Sequence, residues 1–366
     1  MLITKAFRTT SNKSLQVIAQ KPPIDIIIKQ RQKLQQIKWG NSINIISGTL
    51  TPIDVEWPFP FKDTINYGIP IDCSYDNNYS INVDIYTDGS RINDSVGCSF
   101  VAYYSNNEIY QQNIRLNNRC TVFQAEMYAI KSAIMWSEST FDHAYIHILT
   151  DSLSAYNIIY GNNLHYMAEE IRNMIRLSTS NYEITWVKAH CGIKGNERAD
   201  TLAKQAAENK ALPINYNKLS LQALRRLLWN DSIQTWQNIW NMNSDHIMYE
   251  FIPDIYNLLS LKWYIPNYYT TQMFSGHGKF ASYLYRFTNR INNYCTICLV
   301  EDGPKHYLYD CVMLEKERLE LKLLLGKHGI CWPCNLSDIW KNREIYYAFC
   351  ELAKKTNFIT YQTIHN

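Results

Sequence analysis

The order in which the hydrophobic period changes between residues 81 and 210 most narrows the folds open to this chain. "INVDIYTD" alternates as a strand, and "GCSFVAYYSNN" and "EIYQQNIRL" follow as two more, joined by a polar turn at Ser105 to Asn107. "TVFQAEMYAIKSAIMWSE" carries a helical period, "AYIHILTD" returns to a strand, and "SLSAYNIIYG" and "HYMAEEIRNMIRLS" are helices. "YEITWVKAH" is a last strand and "GNERADTLAKQAAEN" a last helix. The order β-β-β-α-β-α-α-β-α combines a hairpin-linked meander with βαβ crossovers. It predicts an α/β domain with a mixed five-stranded sheet and helices on both faces.

The flanks differ from this segment. Residues 1–40 read as helical: Ser11 is a good N-cap, "KPP" breaks the first helix, and "IDIIIKQRQKLQQ" resumes. Residues 41–80 are rich in Pro, Asn, Asp and Gly without a period, which predicts a linker. Residues 211–366 read as mainly helical, with a Cys/His cluster near residue 300. A chain of 366 residues with 46% hydrophobic residues has material for two or three domains. Its net charge of +3 permits nucleic acid binding without demanding it. The 27 tyrosines fit biased composition as well as base stacking. No apolar h-region opens the N-terminus and no run is long enough to span a bilayer, so the expected location is intracellular, nucleus or cytoplasm, with no membrane partner. In a reducing compartment, clustered cysteines point to metal before disulfides.

Two predicted strands stop on an acid, Asp88 and Asp151. In a mixed sheet of this order the first and fourth strands can lie side by side, which brings both acids to one edge. Glu126 stands in the first turns of the long helix, and Asp200 is expected in the first turn of the last one. Each acid alone has an ordinary explanation, as a turn residue or a partner of the helix dipole. Together, four converging carboxylates would repel one another unless divalent cations neutralise them, and oxygen-only ligands suit Mg²⁺ or Mn²⁺.

"YTDGS", "QAEMYAI", "LTDSLSA" and "VKAHCGIKGNERADTLAK", in this order, resemble the motif set of the type 1 ribonuclease H family. The resemblance covers about residues 81–210. It implies a metal-dependent endonuclease that hydrolyses the RNA strand of an RNA–DNA hybrid, with Asp88, Glu126, Asp151 and Asp200 as ligands of two ions. It further implies that one ion activates water while the other stabilises the leaving oxygen, and that Glu126 sits near the ribose 2′-hydroxyl. His190, in "KAHCGIKGN", matches the family's mobile histidine, associated with proton transfer or product release; a solvated loop histidine is the plain alternative. Gly89 and Ser90 are expected among the nucleic-acid contacts. Lys188, Lys194, Arg198 and Lys204 read equally as phosphate contacts and as a solvated helix face. The basic, Trp-containing protrusion of the bacterial relatives is replaced by the short "YGNNLHYMAEEIRNMIRLS", which implies that hybrid affinity draws on other domains.

"CTICLVEDGPKHYLYDC" places Cys295, Cys298, His306 and Cys311 at a spacing that can close a tetrahedral, structural shell around Zn²⁺ in a zinc-knuckle-like motif. Cys331 and Cys334 have no nearby partner pair and read as core thiols. "ITKAFRTTSNKSLQVIAQKPPIDIIIKQR" and "FSGHGKFASYLYRF" resemble the segments that flank ribonuclease H in non-LTR, LINE-like retrotransposon polyproteins. That resemblance implies the C-terminal part of such a polyprotein, with the reverse transcriptase portion of the parent element as a partner. It also implies RNA or DNA as ligands of the zinc motif. The alternative is a catalytically silent nucleic-acid-binding remnant of the same element.

Overall fold

The computed structural model describes residues 3–58, 81–161 and 164–365. The chain forms two compact units: one is Gln36–Leu227, the other joins Met1–Gln35 to Leu228–Asn366.

In the first of these units, the stretch read as linker starts with a small antiparallel pair, β1 (Ile43–Ile45) and β2 (Gly48–Leu50), followed by a 3-10 turn at Pro52–Asp54. Residues 59–80 of that predicted linker lie outside the described residues. The main sheet is built from β3 (Asn82–Ile92), β4 (Ser95–Tyr104), β5 (Asn107–Leu116), β6 (Tyr145–Thr150), β7 (Asn181–Trp186) and β8 (Ile214–Tyr216), in the order β7-β6-β3-β4-β5-β8. β3, β4 and β5 are antiparallel neighbours, while β6 pairs in parallel with both β3 and β7. The first and fourth predicted strands are therefore adjacent, as expected. A sixth strand, β8, extends the anticipated five by pairing with β5 at the edge.

Strand alternation divides the core. Val83, Ile85, Phe100 and Ala102 pack with helices α3 (Val122–Thr140), α4 (Leu153–Tyr160) and α5 (Tyr166–Leu177) on one face. Val101, between Phe100 and Ala102, turns to the other face and packs on Ala199 and Leu202 of α6 (Lys194–Glu208). Gly97 permits this close approach, since a Cβ there would lie 2.3 Å from the Ala207 nitrogen.

In the second unit, α1 (Asn12–Ile18) starts on Ser11, whose hydroxyl accepts from the Ser14 N–H, and α2 is Ile24–Lys38. The remaining helices are α7 (Leu221–Asn241), α8 (Ile247–Phe251), α9 (Ile255–Ser260), α10 (Tyr268–Ser275), α11 (Ala281–Phe287), α12 (Pro304–Tyr309), α13 (Glu315–Lys327) and α14 (Arg343–His365). Val17, Ile18 and Ile26 share one apolar core with Trp236, Trp240, Phe274, Phe349 and their neighbours. Among the described residues no helix is long and apolar enough to cross a membrane.

Candidate active site

Asp88 does not end its strand. β3 continues through Gly89, Ser90 and Arg91 to Ile92, with Asp88 paired to Ser99 and Gly89 to Cys98 across β4. The "DGS" sequence that suggests a turn instead serves a close approach. A Cβ on Gly89 would lie 2.5 Å from the Glu126 nitrogen and 2.9 Å from the Ala125 carbonyl carbon, so only glycine lets α3 lie this near the strand. Thr121 fixes the start of that helix by a reciprocal capping box with Gln124. One turn further on, Glu126 reaches the sheet rim.

Asp151 follows β6 directly, beside β3. The carboxylates of Asp88, Glu126 and Asp151 offer oxygens that all lie within 4.8 Å of one another. Asp88 and Glu126 are buried, at 6% and 7% exposure, and Asp151 is half-buried. Burial, then the charges of Asp151 and Asp200, push the Asp88 carboxyl up to about 7; Lys204 opposes this. Burial, then Asp88 and Asp151, hold Glu126 well above the usual carboxylate range, although the Gly89 N–H partly offsets them. Glu126 Oε2 is buried with no hydrogen-bond partner among the described residues. Three converging carboxyls with one orphaned oxygen fit a divalent cation held by oxygen ligands.

Asp200 stands apart from this trio. α6 begins at Lys194, so Asp200 lies in its second turn and not, as expected, in the first. It is close enough for its charge to act on Asp88 and Glu126. Its Oδ2 accepts from Lys204 Nζ at 2.7 Å, an i,i+4 ion pair. His190 is exposed on the loop before α6, with a positive φ of 53°. Lys188 and Lys194 are exposed, and Ser90 is half-buried in β3. Arg198 is turned to β5, where it meets Glu108 at 3.3 Å and Gln111 at 2.7 Å.

Two site features escaped sequence reasoning. Asn196, buried in the first turn of α6, donates from Nδ2 to Asp151 Oδ2 at 3.0 Å and orients that carboxylate. Gly195, beside it, leaves room for the Tyr86 ring, 2.2 Å from where a Cβ would stand. Glu56, from the stretch read as linker, is buried near the start of α3. It accepts from Gln124 and from the Tyr216 hydroxyl at 2.6 Å, and lies 3.1 Å from His165. No periodicity marks either residue.

In the other unit, Cys295, Cys298, His306 and Cys311 bring one ligand atom each within 4.8 Å of the rest. The Cys298 and Cys311 sulfurs are 3.9 Å apart, against an edge of about 3.8 Å for a tetrahedron with Zn–S bonds of about 2.3 Å. Both ring nitrogens of His306 are buried with no hydrogen-bond partner among the described residues, as a ligand nitrogen would be before binding. The Leu299 N–H closes a turn onto the Cys295 carbonyl, and the buried Arg318 guanidinium clamps the Cys311 carbonyl. Three thiols and an imidazole at this spacing are consistent with zinc. Cys334 is buried, as a core thiol should be, but Cys331 is exposed.

No curated relative matches the chain. Among solved structures, the chain is similar to RNase H1 from the halophilic archaeon Halobacterium salinarum NRC-1, with 23% identity over 34% of this chain and 96% of that one, and a TM-score of 0.28. The RNase H family model matches residues 80–208, the segment that carries the three converging carboxylates, and that segment is an RNase H domain.

Proposed function

We propose that this chain is a metal-dependent endonuclease that hydrolyses the RNA strand of RNA–DNA hybrids. The observation that carries the reading is the convergence of Asp88 and Glu126, both buried, with the half-buried Asp151 within an RNase H domain. Asp88, Glu126 and Asp151, joined by Asp200, would hold Mg²⁺ or Mn²⁺, two ions in all; bound there, they supply an activated water and charge stabilisation at the leaving oxygen. Asn196 fixes the Asp151 carboxylate by donating to its Oδ2. His190, exposed on the loop before α6, would assist product release. Lys188 and Lys194, both exposed, would meet phosphates, and Gly89 and Ser90 lie on the strand beside the acids.

The ion pair between Asp200 and Lys204 favours a second reading, a nucleic-acid-binding protein without turnover, because it occupies the fourth acid. One assay separates the two. Purified protein is incubated with a labelled RNA–DNA hybrid and Mg²⁺; RNA-strand cleavage that vanishes in Asp88→Asn supports the enzyme, and hybrid binding without cleavage supports the silent form. The flanking resemblances support descent from a LINE-like polyprotein, with zinc as the structural ion of the Cys-Cys-His-Cys motif. Sequencing the coding locus for an adjoining reverse transcriptase frame tests the descent.

A further inference from the structure

The unit that joins Met1–Gln35 to Leu228–Asn366 carries a surface that neither the acids nor the zinc motif uses. No Asp or Glu occurs between Asp254 and Glu301, nor before Asp25, yet both stretches hold several Lys and Arg. The two acid-free stretches meet. The Thr9 hydroxyl bonds His277 Nδ1 at 2.8 Å and the Tyr283 hydroxyl at 2.9 Å, and Thr271 donates to the Thr4 carbonyl.

Where they meet, aromatic rings form a continuous run. Phe7 packs edge-on against Tyr283 at 5.5 Å, Tyr283 lies 4.8 Å from Phe287, and His277 is 5.2 Å and 5.6 Å from those two rings. The Arg286 guanidinium lies over Phe287 at 5.2 Å. These rings are not core. Phe287 is 43% exposed and Tyr285, next to Arg286, is 54% exposed. Phe7, His277 and Tyr283 are half-buried, and Tyr283 packs against the apolar core, which holds the run in place. Arg8, next to Phe7 in the chain, and Arg286 are exposed, and neither stretch contains an acid.

An exposed aromatic run ringed by unopposed cations suits one class of partner. An acidic peptide would satisfy the cations and leave the rings wet. Unpaired bases offer flat faces to the rings while their phosphates meet the guanidinium groups. Neither contact reads the sugar, so the occupant is defined by its single-strandedness.

We propose that the Phe7–Tyr283–Phe287 surface, with Arg8 and Arg286, is a binding platform for single-stranded nucleic acid. This goes beyond the nuclease reading and does not depend on it. The test uses the full zinc-loaded chain carrying Asp88→Asn, without Mg²⁺, so that nothing is cut. Fluorescence anisotropy with labelled oligo-U and oligo-dT measures affinity. Both should bind, within about threefold of each other. Phe287→Ala should weaken binding about tenfold, and Arg286→Glu should weaken it further and flatten its salt dependence. Lys327→Ala, at an exposed site in α13, should change nothing. Phe287 and Arg286 are exposed, and far-ultraviolet dichroism checks that each variant is folded. Failure of the parent to bind either oligonucleotide overturns the platform, and so does full binding by Arg286→Glu. Hybrid cleavage, measured separately in the chain with Asp88 intact, judges the nuclease reading alone.

Discussion

Asp88→Asn should make the metal-free protein more stable while abolishing its response to Mg²⁺. Without a cation, the Asp88 carboxyl is pushed from its ordinary 3.8 up to about 7 by burial and by Asp151 and Asp200. The unfolded chain releases this proton near 3.8 and the folded chain keeps it to about 7. Stability is therefore greatest below the lower value and falls as pH rises through the window between them. Fully charged, the site costs the folded state up to about 4 kcal/mol, at about 1.4 kcal/mol per pKa unit. Glu126 and Asp151 repel each other in the variant too, so we expect roughly half of that, about 2 kcal/mol, to return, or about 4–8 °C in Tm for a unit of this size. An amide keeps the shape of the carboxylate, and the orphaned Glu126 Oε2 is available to accept from it. The assay is calorimetry from pH 4 to 9 in magnesium-free buffer with zinc retained, followed by a Mg²⁺ titration at pH 8. The parent should lose stability with rising pH and regain it with Mg²⁺; the variant should show a shallower pH slope and little response to the ion. A variant less stable than its parent at pH 8, or one with an unchanged slope, would refute the claim that repulsion among these acids shapes the site.

Gly89→Ala should remove hybrid cleavage and cost about 3 kcal/mol, because the new methyl meets the backbone of α3 at 2.5 Å; denaturant melts and the cleavage assay read both effects. Glu56→Ala should destabilise the nuclease unit by about 2–4 kcal/mol by stranding Gln124 and Tyr216, with Glu56→Gln milder in the same melts. Metal analysis should find about one zinc per chain. Cys298→Ser should lower that content and the melting temperature together, since its neighbours Cys295 and Cys311 are part of the apolar core.

What the sequence made legible was whatever rests on local period or on pairs close in the chain. The β-β-β-α-β-α-α-β-α order follows from runs long enough to show their repeat. The adjacency of β3 and β6 follows from that order, and with it the meeting of Asp88 and Asp151. Features that failed to show depend on distant partners. β8 is three residues long, too short for a period, and exists because β5 has a free edge. Glu56 looks like loop composition; its significance comes from Gln124, His165 and Tyr216, 68 to 160 residues further on. "DGS" carries a strong turn signal, but cross-strand pairing with β4 and the closeness of α3 override it. The start of α6 is legible to within a residue, Gly195 expected against Lys194 observed, and from either one Asp200 counts into the second turn and not the first.

The charges of the unit that holds the RNase H domain bear on how it would hold a hybrid. Of the four cations that sequence reasoning grouped as phosphate contacts, two are already engaged: Arg198 with Glu108 and Gln111, and Lys204 with Asp200. Each would have to leave a partner before meeting a phosphate, which subtracts from whatever the new contact contributes. Lys188 and Lys194 alone neutralise little of a duplex backbone, and the affinity of such contacts falls steeply with salt. An RNase H domain with so few free cations is expected to bind a hybrid weakly. In the other unit the Cys-Cys-His-Cys cluster, with Cys295, His306 and Cys311 buried, has the composition of a structural centre rather than of a phosphate contact. Lys188→Ala should therefore raise KM for hybrids and lessen its dependence on salt, measured by cleavage at low and high salt. An unchanged KM with an unchanged salt slope would mean that Lys188 meets no phosphate.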